Sequence, residues 1–271
     1  MKQFIPQLFI NIKIRILQRK ISERTKFETY EKAINACQKT GYRHAELIEV
    51  VVEKNLIYRE ALKIDPTIKL ETLRTLIPLI ITGTMNEINV LDFGGGGGQH
   101  YLIAETVLGP SYSINWNVVE TSEMVNQAKQ ISFGNCKFFD NINSAREDMN
   151  KIDLVFTSSA LQYCPDPLLY LKKLVDLEAP FFFLTRTPFL NDLQEIITIQ
   201  FSKLSNQGPG PMPLRFKDKT IAYPITYTSR EKVEKIIKEK YDIRFRIDES
   251  SENFYFNDEP ISCTGYLCVK K

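Results

Sequence analysis

The sequence predicts an α/β fold: a doubly wound, mostly parallel sheet of seven strands, extended at its N-terminus by helices and closed at one edge by an antiparallel pair. Three observations predict it. A short apolar run, Ile88–Phe93, enters five consecutive glycines, Gly94–Gly98. From there, apolar runs of strand length alternate with helical patterns, as in a parallel sheet covered on both faces. The tail then breaks that alternation with two strand patterns in succession.

The elements follow in order. Residues 26–82 read as helical. Phe27, Tyr30, Ala33, Ile34 and Cys37 form one stripe ending near Gly41; Ala45, Ile48, Val51, Val52 and Leu56 form a second. A third segment, Ile68 to Ile81, carries Pro78 as an expected break. Strands are then expected at 88–93, 114–120, 136–140, 151–160 and 180–187, with helices at 100–109, 122–131 and 166–177. Ser122 is the expected N-cap of the second of these helices. A helix at 229–240 precedes the final strands at 241–248 and 262–271. Residues 188–228, with the Gly/Pro run Asn206–Phe216, read as an irregular insertion suited to a substrate loop. The expected organisation is a helical extension or cap over residues 1–85 and a ligand-binding domain over 86–271.

Composition removes several classes. The chain has 271 residues, 43% hydrophobic and 11% aromatic, which excludes disorder as its main state. A net charge of +2 does not suggest an extended nucleic-acid surface. Its five cysteines form no CxxC pair, so neither a zinc ribbon nor a disulfide framework is indicated, and a reducing cytoplasm is the expected compartment. No apolar run reaches the roughly 18 residues of a membrane span. Residues 1–20 carry five Lys/Arg and no acid. They read either as a basic amphipathic helix on an anionic membrane surface or as a helix docked on the body.

The glycine turn is the strongest chemical signal. Glycines after a buried strand let the backbone approach a ligand, and the following helix start offers free N–H groups. Dinucleotides and S-adenosylmethionine are both held this way. The dinucleotide pattern GxGxxG fails, because its last position is Gln99 or His100. The spacing acid-x-Gly-x-Gly-x-Gly is met by Asp92, Gly94, Gly96 and Gly98. Glu120 ends the next strand, where a carboxylate accepts from ribose hydroxyls, with Thr121 beside it. Asp140 ends the third strand, placed for an adenine amino group, with Asn141 following.

These segments resemble a class I S-adenosylmethionine-dependent methyltransferase, whose fold is Rossmann-like. More narrowly, GYRHAEL (41–47), LDFGGGGGQHY (91–101), NVVET (117–121), SSALQYCPDP (158–167) and LTRTPF (184–189) resemble a family of bacterial methyltransferases associated with cell-surface polysaccharide gene clusters. The resemblance implies methyl transfer from S-adenosyl-L-methionine to a small-molecule acceptor, such as a sugar or nucleotide-sugar intermediate. The reacting end of the cofactor then faces the carboxyl ends of the central strands. Gln99, His100 and Tyr101, then Thr157, Ser158, Ser159, Gln162 and Tyr163, then Arg186 and Thr187 are expected to converge there. His100 and His44 compete as general base, Tyr163 shapes the pocket, and Arg186 suits an anionic group. Arg215 and Lys217 on the loop would favour an anionic acceptor. No metal motif is present. The rival readings are a nicotinamide-dependent oxidoreductase and a non-catalytic methyltransferase-like binding protein.

Overall fold

The structure, a computed structural model, describes residues 25–37, 41–82, 87–129, 134–191, 194–249, 254–256, 259–261 and 263–271. The basic segment 1–20 lies outside them.

Three helices open the described chain: α1 (Tyr30–Ala36), α2 (Ala45–Ile64) and α3 (Leu76–Thr82). Pro78 was expected to break its segment. It sits instead in the first turn of α3, where its missing N–H would have had no helical partner. Strands and helices then alternate: β1 (Glu87–Phe93), α4 (Gln99–Leu108), β2 (Ser113–Val119), α5 (Ser122–Ala128), β3 (Cys136–Phe139), α6 (Ile142–Glu147), β4 (Leu154–Ser158), α7 (Pro167–Val175) and β5 (Phe181–Leu190). The N-cap of α5 is Thr121, one residue earlier than expected; its hydroxyl accepts from the Met124 N–H.

Parallel pairing places these five strands in the order β3-β2-β1-β4-β5. The chain order reverses between β1 and β4, which makes a crevice at their carboxyl ends. Helix α8 (Arg230–Lys240) leads into β8 (Tyr241–Glu249), and β11 (Cys263–Lys270) runs antiparallel between β5 and β8. This antiparallel pair closes the edge, as expected. Two-residue strands β9 (Tyr255–Phe256) and β10 (Glu259–Pro260) pair with each other. Among the described helices none is long and apolar enough to cross a membrane.

The sheet is buried on both faces because its strands carry apolar residues at successive positions. Val90, Trp116, Phe156, Phe183 and Leu267 pack on one side with Leu79 of α3 and Leu102 of α4. Leu91, Val155, Phe182, Leu184 and Tyr266 pack on the other with Leu171 of α7 and Ile237 of α8.

The irregular insertion expected at 188–228 is largely a β-ribbon. Strands β6 (Ile196–Lys203) and β7 (Thr220–Ser229) pair antiparallel along eight register positions, from Ile196↔Tyr227 to Lys203↔Thr220. They raise the sheet from the expected seven strands to nine. Among the described residues, the longest irregular part left is the loop 204–219 between them. Strand β5 overshoots the main sheet, and Phe189 and Leu190 pair with Thr228 and Ser229 of β7. That overshoot stands the ribbon beside the carboxyl ends of the parallel strands.

Candidate functional site

A cleft of about 2310 Å3 opens at the crevice between β1 and β4. A typical small-molecule site is ~300–1,000 Å3, so the space suits two ligands side by side. Gly94 to Gly97 of the glycine turn, Glu120, Asp140, Ser158, Tyr163 and Arg186 line it, joined by α1, α2 and the ribbon, while Gly98 lies outside the lining.

On the turn, Gly94, Gly96 and Gly98 have φ of 78°, 58° and 87°, the left-handed region that glycine enters without penalty. A side chain at Gly94 would also collide: its Cβ would lie 2.1 Å from Cβ of Ala160. A Cβ on Gly95 would meet the Asp92 carboxylate at 2.3 Å, and one on Gly97 would meet Nδ2 of Asn55 at 2.6 Å. The turn is thus wedged between the segment after β4, the carboxylate beneath it and helix α2.

Asp92 is fully buried. Its Oδ2 accepts from the Trp116 indole at 3.0 Å and lies 2.9 Å from Nδ1 of His100. The His100 ring stands edge-on to Phe156, with centroids 4.7 Å apart. Asp92 Oδ1 is buried without a hydrogen-bond partner among the described residues. Glu120, at the tip of β2, accepts from the Gly96 N–H at 3.0 Å and from the Thr121 N–H at 3.0 Å. Burial raises its pKa above the ordinary carboxylate value, against those two hydrogen bonds. A carboxylate offers about four acceptor positions, so two stay open toward the cleft. Asp140 is exposed at the cleft edge. Asn141 caps α6, accepting from the Ser144 N–H at 2.8 Å, and donates to Asp140 at 2.9 Å.

The backbone is unusual just beyond β4, and within β5 where its pairing with β4 ends. Ser159 and Arg186 both have φ of 56°. The buried Gln162 amide donates to Ser159 Oγ at 3.0 Å and to the Arg186 carbonyl at 3.3 Å. Ser158 is buried against the cleft, and its Oγ has no hydrogen-bond partner. Tyr163 belongs to a cluster: its ring centroid is 4.8 Å from that of Tyr42 and 5.3 Å from that of Tyr223. Its hydroxyl donates to Gln200 at 2.8 Å, and its carbonyl accepts from Tyr30 at 2.7 Å. Burial, then Tyr223, pushes the Tyr163 phenol far above its ordinary pKa, with the Arg186 charge opposing.

Several expected residues do not join the site. His44 lies outside the cleft lining and caps α2, its Nδ1 accepting from the Glu46 N–H at 3.2 Å. Tyr101 turns into the core, where its hydroxyl donates to Glu105 at 2.7 Å. Thr187 is buried and donates to the Thr185 carbonyl at 3.2 Å. Arg215 is spent on α2: it pairs with Glu53 at 2.6 Å and with Glu49 at 3.5 Å, and lies over the Phe216 ring.

Other cleft residues were not expected. Asn55 is 1% exposed and faces the glycine turn, with Oδ1 unpartnered. Its sequence signal is position, since it falls four residues after Val51 on the apolar stripe of α2. Lys54, also 1% exposed, donates to the Ser205 carbonyl at 2.7 Å, and burial lowers its pKa to about 8. Tyr42, Tyr223, Gln200 and Glu249 carry no sequence signal that separates them from ordinary core or surface residues. Among the described residues no three His, Cys, Asp or Glu side chains group as metal ligands would.

No family model and no curated protein matches the chain. Solved structures do. An S-adenosylmethionine-dependent methyltransferase from Clostridium acetobutylicum is 17% identical, with a TM-score of 0.47, covering 80% of this chain and 97% of that one. The magnesium protoporphyrin IX methyltransferase of Synechocystis, with bound S-adenosylhomocysteine, is 15% identical at a TM-score of 0.45, covering 74% and 83%. A pericyclic reaction enzyme is 9% identical at a TM-score of 0.44, covering 74% of this chain and 47% of that one. None of these likenesses assigns a reaction to this chain.

Proposed function

We propose that the chain is an S-adenosylmethionine-dependent methyltransferase with a small-molecule acceptor. The observation that carries this reading is Glu120. Its carboxylate braces the glycine turn through the Gly96 N–H while keeping acceptor positions open at the end of β2, as a paired ribose diol requires. Gly94, Gly96 and Gly98 would take the methionine portion against bare backbone. Asp140 with Asn141 would meet the adenine edge, and Thr121 and Ser158 would flank the cofactor. The unpartnered Asp92 Oδ1 and Asn55 Oδ1 are acceptors suited to an ammonium group. Bound there, S-adenosylmethionine supplies a methyl group on a sulfonium, whose departure as a neutral thioether needs no help from the protein.

The chain's own contribution is then position and dryness. We assign His100 a positioning role, holding Asp92 beneath the turn. Tyr163 stays protonated across the physiological range, because its pKa is raised. It therefore stands as a neutral group in the acceptor wall, its hydroxyl donating to Gln200, and not as a base. Ribbon residues Gln200 and Ser202, with the loop at Ser205–Gly210, close the acceptor side. That wall of hydroxyls and amides suits a hydroxylated acceptor, and together with the sequence resemblance it supports a sugar or nucleotide-sugar of surface polysaccharide synthesis.

Calorimetry is the first test. S-adenosylhomocysteine should bind with micromolar affinity, roughly −8 kcal/mol. Glu120→Ala should weaken it by about 1–3 kcal/mol, because buried polar groups lose their partner. Binding of NAD in its place would overturn the reading. Labelled methyl donor incubated with cell extract, followed by mass spectrometry, would then identify the acceptor.

A further inference from the structure

We propose that the acceptor is an anion, a small hydroxylated molecule whose carboxylate or phosphate pairs with Arg186 while its ring lies along Tyr163 and Tyr42. The proposal rests on the methyltransferase reading for where the acceptor enters. Its own basis is the way Arg186 is held.

Arg186 is a non-glycine residue in the left-handed region, with φ of 56°, a conformation that persists only where the surroundings impose it. Here they do so from two sides. Glu249 at the end of β8 accepts from the Arg186 N–H at 2.6 Å. Its other carboxylate oxygen accepts from the Thr185 hydroxyl and faces Arg74 at 3.5 Å. From the turn after β4, the buried Gln162 amide donates to the Arg186 carbonyl at 3.3 Å. The backbone of one exposed residue is thus fixed by two neighbouring elements.

What this holds in place is a guanidinium on the cleft wall. Among the described residues it makes no ion pair or hydrogen bond, and it is exposed. Neighbouring cations are already engaged: Arg74 with Glu249, and Lys54 with the Ser205 carbonyl. An unpaired surface arginine is ordinary by itself. One whose backbone is strained and clamped at the carboxyl end of a central strand is aimed. The guanidinium fork matches carboxylate and phosphate geometry in a way a point charge does not. Lining the same cleft, Tyr163, Tyr223 and Gln200 carry neutral hydrogen-bonding groups. They suit hydroxyls on the same molecule.

The test uses the full chain saturated with S-adenosylhomocysteine and three probes: glucuronate, glucose 1-phosphate and glucose. Affinities are read by calorimetry and ligand-observed NMR. Both anions should bind at least about tenfold more tightly than glucose. Arg186→Gln should erase that ratio, and Arg186→Lys should restore part of it, with S-adenosylhomocysteine affinity unchanged within about twofold in both variants. Equal binding of glucose and glucuronate, a ratio that survives in Arg186→Gln, or a cofactor-loaded protein that binds neither anion would each overturn the proposal. Failure of S-adenosylhomocysteine to bind the wild type would instead strike the methyltransferase reading, and it is seen before any acceptor probe is added.

Discussion

Single residues decide whether this cleft can form, and Gly94 is the sharpest case. Its φ of 78° disfavours any side chain, and its missing Cβ leaves room for Ala160. The two causes are separable. Gly94→Ala should cost roughly 2–5 kcal/mol, combining about 1–2 for the left-handed conformation with about 1–3 for overpacking. Adding Ala160→Gly should recover only the steric share, which a denaturant double-mutant cycle would resolve. Additive effects of the two substitutions would show that Ala160 is not the obstacle. Glu120 gives a second prediction, on pH. Ribose hydroxyls donate to the charged carboxylate, so the ionised form binds. Burial raises the Glu120 pKa, so S-adenosylhomocysteine affinity should begin to fall at a pH above the usual carboxylate range, about 4.3, as acid is added. Glu120→Gln should bind more weakly and without that slope. A wild-type affinity that stays flat down to pH 4.5 would remove Glu120 from the ribose.

Among the elements, helix α2 has the most to do. Its Val51–Asn55 turn touches Gly96 and Gly97 on one side, while Val51 and Lys54 lie under Gly208 on the other. Lys54 secures the loop at Ser205, with Lys219 pairing to Glu46 and Arg215 to Glu53 and Glu49. The ion pairs are surface contacts, each worth about 0–1 kcal/mol; Lys54 is the deep contact. Its folded pKa of about 8 lies below the usual lysine value. The unfolded chain therefore holds the proton that the folded chain sheds, and this contribution to stability grows as pH rises through 8. Urea midpoints measured from pH 7 to 9 should rise for the wild type relative to Lys54→Met. Parallel curves would mean that the ammonium is well solvated. Element by element, the alternation from β1 to β5 was legible because strands buried on both faces are long apolar runs bounded by turns. The ribbon was not. Pro188 and Pro224, residues that disfavour strand interiors, both lie within strands, and Pro224 stands opposite Ile199 on a ribbon whose other side is paired to β5 only at residues 228–229. The β-branched runs Ile196–Ile199 and Thr220–Ile221 were the overlooked signal.

For the whole molecule, sequence order and site order diverge. The proposed cofactor side of the cleft comes from one continuous run of strands and helices, residues 92–141, so local patterns exposed Asp92, the glycines, Glu120 and Asp140. The acceptor side is assembled from α1, α2, the turn after β4, the ribbon and the end of β8. No local pattern could have brought Tyr42, Tyr163 and Tyr223 together or set Glu249 against Arg186, since each pairing depends on strand register far away in the chain.

The ribbon's attachment has a further consequence. Only the pairs Phe189↔Thr228 and Leu190↔Ser229 join it to β5, whereas β1 is zipped to neighbours on both sides. Among the described residues, two rungs, the Phe27↔Ile197 bridge and a set of side-chain contacts hold the ribbon down, so its backbone should behave as a separate cooperative unit in amide hydrogen exchange. Deuterium should enter β6 and β7 as one block, ahead of β1 and β4. The molecule could then admit one ligand by local opening while the compartment for the other stays closed, two access times from a single continuous sheet.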